Sequence, residues 1–177
     1  RASGLDWTML RPGFFAQNIG SSYRRDIVED DRIFVPAGDG LVAFIDTRDL
    51  GEAAAVALTE DGHRGRGYHL TGLEAVTFVQ VAAILSEVLG RTIRYEPAGI
   101  VGYYRHLRRQ DQVVPQAVVQ TILHTRLRRG DAESVTDELA SLLGRAPRSL
   151  RAYVEDHAEL WAGADGPSAE TPRSKRG

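Results

Sequence analysis

The 177-residue sequence contains no cysteine, which removes disulfides, thiolate nucleophiles and thiolate-held metals together. A reducing, cytoplasmic setting is the expectation that follows. Methionine is almost absent as well. Met9 is the only one and residue 1 is arginine, so the numbering is expected to begin inside a longer reading frame. No apolar run approaches the roughly 18 residues that a membrane-spanning helix needs, and no charged segment leading into an apolar one opens the chain. Strong net charge is missing too. At −2 the chain has no global field drawing it to nucleic acid or to an anionic membrane, although arginines cluster locally in the C-terminal half. Small molecules, rather than nucleic acid or membrane, are therefore the expected partners.

What is present is ordinary for a folded domain: 42% of the residues are hydrophobic, enough for one sizeable core. Leu5 to Leu10 reads as a strand, and Pro12 removes a backbone donor just after it. Phe15, Ile19, Tyr23 and Ile27 then recur at four-residue steps, predicting a helix to about Glu29 with Gly20 as its weak point. Arg32–Pro36 and Leu41–Asp46 are β-rich runs around Ala37-Gly38-Asp39-Gly40, which predicts a hairpin. A helix through Leu50, Ala53, Ala54 and Ala57 follows, capped by Thr47 or Asp49. Tyr68–Gly72 is a strand, Thr77 opens a periodic helix that Gly90 ends, and Thr92–Glu96 is another strand. From Gly99 the pattern is helical throughout: 100–109, 115–128, 131–143 and 149–161. Residues 163–177 lack periodicity and predict a disordered tail.

Sequence motifs leave little obvious chemistry. Gly38-Asp39-Gly40-Leu41-Val42-Ala43 matches a dinucleotide-binding pattern, but it runs into β-branched residues instead of opening a helix whose amides could hold a diphosphate. The five histidines have no metal-ligand spacing, so no metal site is expected. No serine sits in a nucleophile elbow. Asp46 and Asp49 flank a strand-to-helix turn, where capping explains them better than acid/base work. Tyr103-Tyr104-Arg105-His106 can line a substrate mouth, and an ordinary amphipathic helix explains it equally well.

Taken in order, RPGFF, the Gly-rich turn, DTRDLGEAAA, YHLTG, a long helix ending LGR, TIRYEP and GRAPRSLRAYVEDHAELW closely resemble one family. This is the C-terminal half of the NmrA-like branch of the atypical short-chain dehydrogenase/reductases, and the resemblance covers most of Gly4 to Trp161. It implies an α/β fold: the C-terminal part of a Rossmann-type doubly wound sheet over 1–97 with the hairpin as an insertion, then a small, mostly helical substrate region over 98–162. It implies NAD(P), with NADP preferred over NAD, and a parent protein that reduces quinones or other small carbonyl acceptors. The same fold also serves as a non-catalytic dinucleotide sensor, the alternative function. A helical nucleic-acid module in 99–161 ranks behind both.

Residue by residue, the resemblance places Pro12, Gly13, Phe14 and Phe15 at the nicotinamide side of the cofactor, with Asn18, Tyr103, Tyr104 and His106 as substrate lining. Asp49 matches a structural aspartate. No catalytic residue is carried over, because Tyr103 and Tyr104 have no lysine four residues on. In the family the Gly-rich loop, the 2′-phosphate selector and the lysine-bearing helix all precede the RPGFF strand. The chain by itself is therefore expected to be inactive.

Overall fold

The computed structural model describes residues 5–162, and its elements follow the local chemistry closely. In chain order they are β1 (Thr8–Pro12), β2 (Phe14–Phe15), α1 (Gln17–Gly20), α2 (Arg24–Asp30), β3 (Arg32–Val35), β4 (Val42–Ile45), α3 (Thr47–Thr59) and β5 (Arg66–Leu70). There follow β6 (Ala75–Val76), α4 (Phe78–Leu89), β7 (Arg94–Pro97), α5 (Ile100–Arg109), α6 (Val114–Leu127), α7 (Glu138–Leu143) and α8 (Leu150–Asp156), and a 3-10 turn covers Ala158–Trp161. β1 pairs with β5, β2 with β4 and β3 with β7, all parallel, while β6 adds antiparallel to β4. Parallel pairs need long crossovers, and the helices supply them. The α/β class expected from the sequence is the one observed.

The hairpin is not. β3 and β4 lie in different ladders, because β3 is matched to β7 along its whole length and β4 is held between β2 and β6. The Gly-rich turn between them packs on the end of α6 instead, where a Cβ on Gly40 would lie 2.2 Å from the Leu127 carbonyl oxygen. β1 also differs from expectation, starting at Thr8 and continuing through Pro12. Gly13 N–H donates to the Leu70 carbonyl at 2.8 Å, so the Pro12 nitrogen falls on the edge that β5 does not use and the missing donor costs nothing there.

The helix predicted to Glu29 is broken in two. Ile19, Tyr23 and Ile27 are buried as the four-residue spacing requires, yet the chain leaves helical geometry after Gly20. The 3-10 turn presses on that point: a Cβ on Gly20 would meet Leu160 and the Tyr153 hydroxyl at 2.8 Å. The Trp161 indole N–H donates to the Ile19 carbonyl at 3.2 Å, satisfying an acceptor near the break. Between 131 and 143 only Glu138–Leu143 is helical. The rest is drawn out along the sheet, with Ala43 N–H bonded to the Ala132 carbonyl and Thr136 bonded to both Thr71 and His69. The helix predicted over 149–161 ends as an α-helix at Asp156 and finishes as the 3-10 turn.

Capping chemistry is more faithful to the sequence. Thr77 and Gln80 form a reciprocal capping box on α4, and Gly90 ends that helix at φ 64°. On α3 the cap is Asp46, one residue before the expected pair: its carboxylate accepts from Arg48 N–H at 2.8 Å. One hydrophobic cluster runs from Ala16 to Trp161, so both ends of the described chain share a core. The predicted tail lies outside the described residues.

Candidate functional site

β1 passes through Gly13 directly into β2, so that the chain leaves its ladder with β5, joins β4 and ends at Phe15 at the carboxyl edge of the parallel ladders, where open α/β sheets form ligand crevices. A cavity of about 420 Å³ opens there, lined by Gly13, Phe14, Phe15 and Asn18 on one side and by Leu123, Arg126 and Leu127 of α6 on the other. Asp131 and Ala132 close its end. The volume falls in the usual range for a small-molecule site. Behind Gly13 a second recess of about 250 Å³ is lined by Pro12, His69 and Thr71, among others, and shares Gly13, Asp131 and Ala132 with the first. Gly13 therefore forms the partition between the two spaces, with Pro12 facing the smaller.

Phe14 is fixed by edge-on contacts to Phe44 at 5.6 Å and to the His124 ring at 5.8 Å. His124 belongs to a buried polar pair. Its Nδ1 donates to the Gln120 carbonyl at 2.7 Å, so its Nε2 carries the lone pair that accepts from the Tyr23 hydroxyl at 2.5 Å. Burial drives the His124 pKa down to about 4, opposed only in part by the bond to Gln120. Burial likewise pushes the Tyr23 and Tyr103 hydroxyls up, so all three groups are neutral near pH 7.

That assignment has a measurable consequence. In the unfolded chain a histidine takes up its proton near pH 6.5, whereas here it does so only near pH 4. The native state therefore loses stability as pH falls from about 6.5 to about 4, by about 3 kcal/mol in all. Urea midpoints at pH 7 and pH 4.5 measure most of this loss. His124→Gln keeps an acceptor for Tyr23 and is expected to flatten the dependence, and an equally steep loss in that variant would place the titration elsewhere.

The structure thus brings Gly13, Phe14, Phe15 and Asn18 together on one wall, with Pro12 just behind it. Tyr103, Tyr104 and His106 line neither of these cavities. Tyr103 is buried against His124 and Phe34. His106 donates from Nε2 to the Asp26 carboxylate at 2.8 Å, and Tyr104 packs against the core. Facing the core is the physical reason these three are turned from solvent. The opposite wall was missed in the sequence, although Leu123, Arg126 and Leu127 stand at the three- and four-residue spacing that places side chains on neighbouring turns. Asp49 is structural, holding Arg145 and Arg148.

The apolar walls of Phe14, Phe15, Leu123 and Leu127, with one amide at Asn18, fit a flat ring carrying an amide or carbonyl group. Among the described residues nothing comparable fits a diphosphate. The turn at Gly38–Gly40 leads into β4 and the glycines at 62, 65 and 67 lead into β5, so neither opens a helix. The only lysine in this sequence is Lys175, so no described tyrosine has a lysine partner.

No protein-family model matches the sequence. An NAD(P)H azoreductase from Xenophilus azovorans is 31% identical over 162 residues, which are 92% of this chain and 56% of that protein. A (4-alkanoyl-5-oxo-2,5-dihydrofuran-3-yl)methyl phosphate reductase from Streptomyces griseus is 36% identical over 164 residues, 92% of this chain and 57% of that protein. Among solved structures, the NADPH-dependent quinone oxidoreductase QOR2 from Escherichia coli matches with a TM-score of 0.81 and 26% identity, over 88% of this chain and 56% of that one. The chain spans a little over half the length of each. Its fold is the Rossmann-like fold of NAD(P)-binding reductases.

Proposed function

We propose that this chain forms the acceptor side of an NAD(P)H-dependent reductase of the NmrA-like type, acting on flat, mostly apolar carbonyl or quinone compounds. NADP is the preferred dinucleotide in this reading. The observation that carries it is the cavity at the strand ends, where Phe14, Phe15 and Asn18 face the α6 wall. Similarity to an azoreductase and to two other reductases supports the reaction class.

A nicotinamide, when bound, supplies the hydride. The residues of this chain supply position and dryness. Phe14, held edge-on by Phe44 and His124, and Phe15 give a fixed apolar wall against which a ring lies flat. Asn18 offers both a donor and an acceptor, enough to set which way a carboxamide or carbonyl faces. Leu123 and Leu127 close the other side and exclude water, which strengthens every polar contact made inside. His124 takes no part in proton transfer, since both ring nitrogens are engaged and the ring stays neutral. Arg126 and Asp131 pair with each other at the rim, leaving no uncompensated charge in the cavity. The contribution of these residues to rate is orientation.

The test separates the two halves of the cofactor. Reduced nicotinamide mononucleotide is expected to shift the amide resonances of Gly13, Phe14, Phe15 and Asn18, whereas adenosine 2′,5′-bisphosphate leaves them unmoved. Phe15→Ala should weaken binding of the mononucleotide and of 1,4-naphthoquinone by about tenfold, equivalent to about 1.4 kcal/mol. Quinone binding that ignores Phe15→Ala, or bisphosphate binding mapped to Gly38–Ala43, would sink the proposal.

A further inference from the structure

The two helices that follow β7 carry an unusual outer face. α6 buries Ala117, Thr121, His124 and Leu127, as a core-facing helix does, but its opposite side is also apolar. Val118 and Ile122 stand one turn apart on that side, as do Val119 and Leu123, and Val119 and Ile122 are 56% and 54% exposed. α5 adds Ile100 and Val101 at 51% and 62%. No other part of the described chain exposes aliphatic side chains so densely, and contiguous patches of this kind mark interaction surfaces.

The charge on the same helices is one-sided. Between Ile100 and Arg129 there are six arginines and a single acid, Asp111, in a chain whose overall charge is −2. Neither α5 nor α6 contains an acidic residue. Arg126 is paired with Asp131, and Arg128 bonds to the Ala98 carbonyl. Among the described residues Arg105, Arg109 and Arg129 form no ion pair. Arg105 stands one turn from Val101 on α5, and Arg129 lines a recess of about 460 Å³ together with Ile100, Ile122 and the Arg126–Asp131 pair. The cations thus border the aliphatic strip instead of lying apart from it.

We infer that this face docks on an anionic lipid surface, the Val101, Val118, Val119 and Ile122 strip entering the headgroup boundary while Arg105, Arg109 and Arg129 meet lipid phosphates. The charge pattern selects this occupant. A second copy would set one arginine border against another with only two acids at the face, Asp111 and Asp131, of which Asp131 is already paired with Arg126. A nucleic acid would meet an aliphatic centre that offers its bases no hydrogen bonds. A bilayer boundary accepts both features, because aliphatic groups leave water there and arginine stems extend their guanidinium groups to the phosphates. Each cation near such a surface adds to the attraction, and the addition falls away within a Debye length. The inference is independent of the reductase reading, since none of Val101, Arg105, Arg109, Val118, Val119, Ile122 and Arg129 lines the cavity at the strand ends.

Co-sedimentation of the 177-residue chain with vesicles tests it. Partition into phosphatidylcholine vesicles containing roughly 30% phosphatidylglycerol is expected to exceed that into phosphatidylcholine alone by at least about tenfold, and to fall as salt is raised. Val118→Asp with Ile122→Asp should abolish binding, and Arg105→Glu with Arg109→Glu should reduce it to the level of neutral vesicles. All four positions are exposed, and circular dichroism checks that the variants remain folded. No sedimentation with anionic vesicles overturns the inference, as does sedimentation indifferent to both variant pairs. Two further results overturn it: a dimer that forms without lipid and is broken by the aspartate pair, or duplex DNA binding that only the arginine pair removes.

Discussion

Replacing Gly72 by alanine is expected to cost about 4 kcal/mol or more, the upper end of what added volume does in a packed interior. A Cβ at this position would lie 1.8 Å from the Phe44 carbonyl oxygen and 2.7 Å from its carbon. Both are backbone atoms of β4, which is held by β2 on one side and β6 on the other, so no side chain can swing aside to make room. Either β4 moves away from the chain leaving β5, opening the wall behind Gly13, or the new methyl is not accommodated. For a domain of this size the loss corresponds to a fall in melting temperature of roughly 8–16 °C. Gly51→Ala is the matching control. Nothing lies within 4 Å of its added Cβ, and alanine in α3 is expected to raise stability by up to about 1 kcal/mol. Equal melting temperatures for the two variants would refute the close approach at Gly72.

Asp49→Asn is the second large effect, at about 4 kcal/mol, because it takes the charge from a buried carboxylate whose partners stay behind. Asp49 is fully buried in the first turn of α3. Its Oδ1 accepts from the Arg145 guanidinium at 2.7 Å and from Arg148, while Oδ2 accepts from the Arg148 backbone N–H at 2.6 Å. One carboxylate thereby ties α3 to the segment joining α7 to α8. Asparagine has a single acceptor oxygen, and its amide group would point a donor at another donor. Hydrogen exchange should accelerate first across 145–156, and a urea titration gives the total loss. Glu52→Gln is expected to matter far less, since Glu52 meets the same arginines at the solvent-facing end of the cluster. A loss below about 1 kcal/mol in Asp49→Asn would show that Glu52 alone holds the arginines.

These two residues also show how much was legible beforehand. Asp49 could be assigned a structural role from its place at a helix start, but its partners lie about a hundred residues away and no local pattern names them. Gly72 and Gly90 look alike in sequence. Gly90 ends α4 in the left-handed conformation, as a glycine after a periodic apolar run leads one to expect. Gly72 is needed for space, and only the position of β4 reveals that. The candidate site divides the same way. A strand meeting Pro-Gly marked Pro12 and Gly13 as a strand end, and only the family resemblance pointed to Phe14, Phe15 and Asn18 beside it; the α6 wall could not be read at all, because α6 is apolar on both faces and its pattern does not say which one turns inward.

By itself the sequence determined the α/β class, the helix start at Thr77, the Gly90 stop and the placing of Pro12 and Gly13 at a strand end. Each depends on interactions within a few residues, where hydrophobic period and capping chemistry act directly. Tertiary structure decided the rest. β3 joins β7 and not β4, Gly20 splits a helix because Trp161 and Leu160 pack over it, and Tyr103 and His106 turn inward while Leu123 and Arg126 face the cavity. A parallel strand's partner is set by which faces can be buried together across long stretches of chain, and that information is spread over the whole core instead of residing in any one segment.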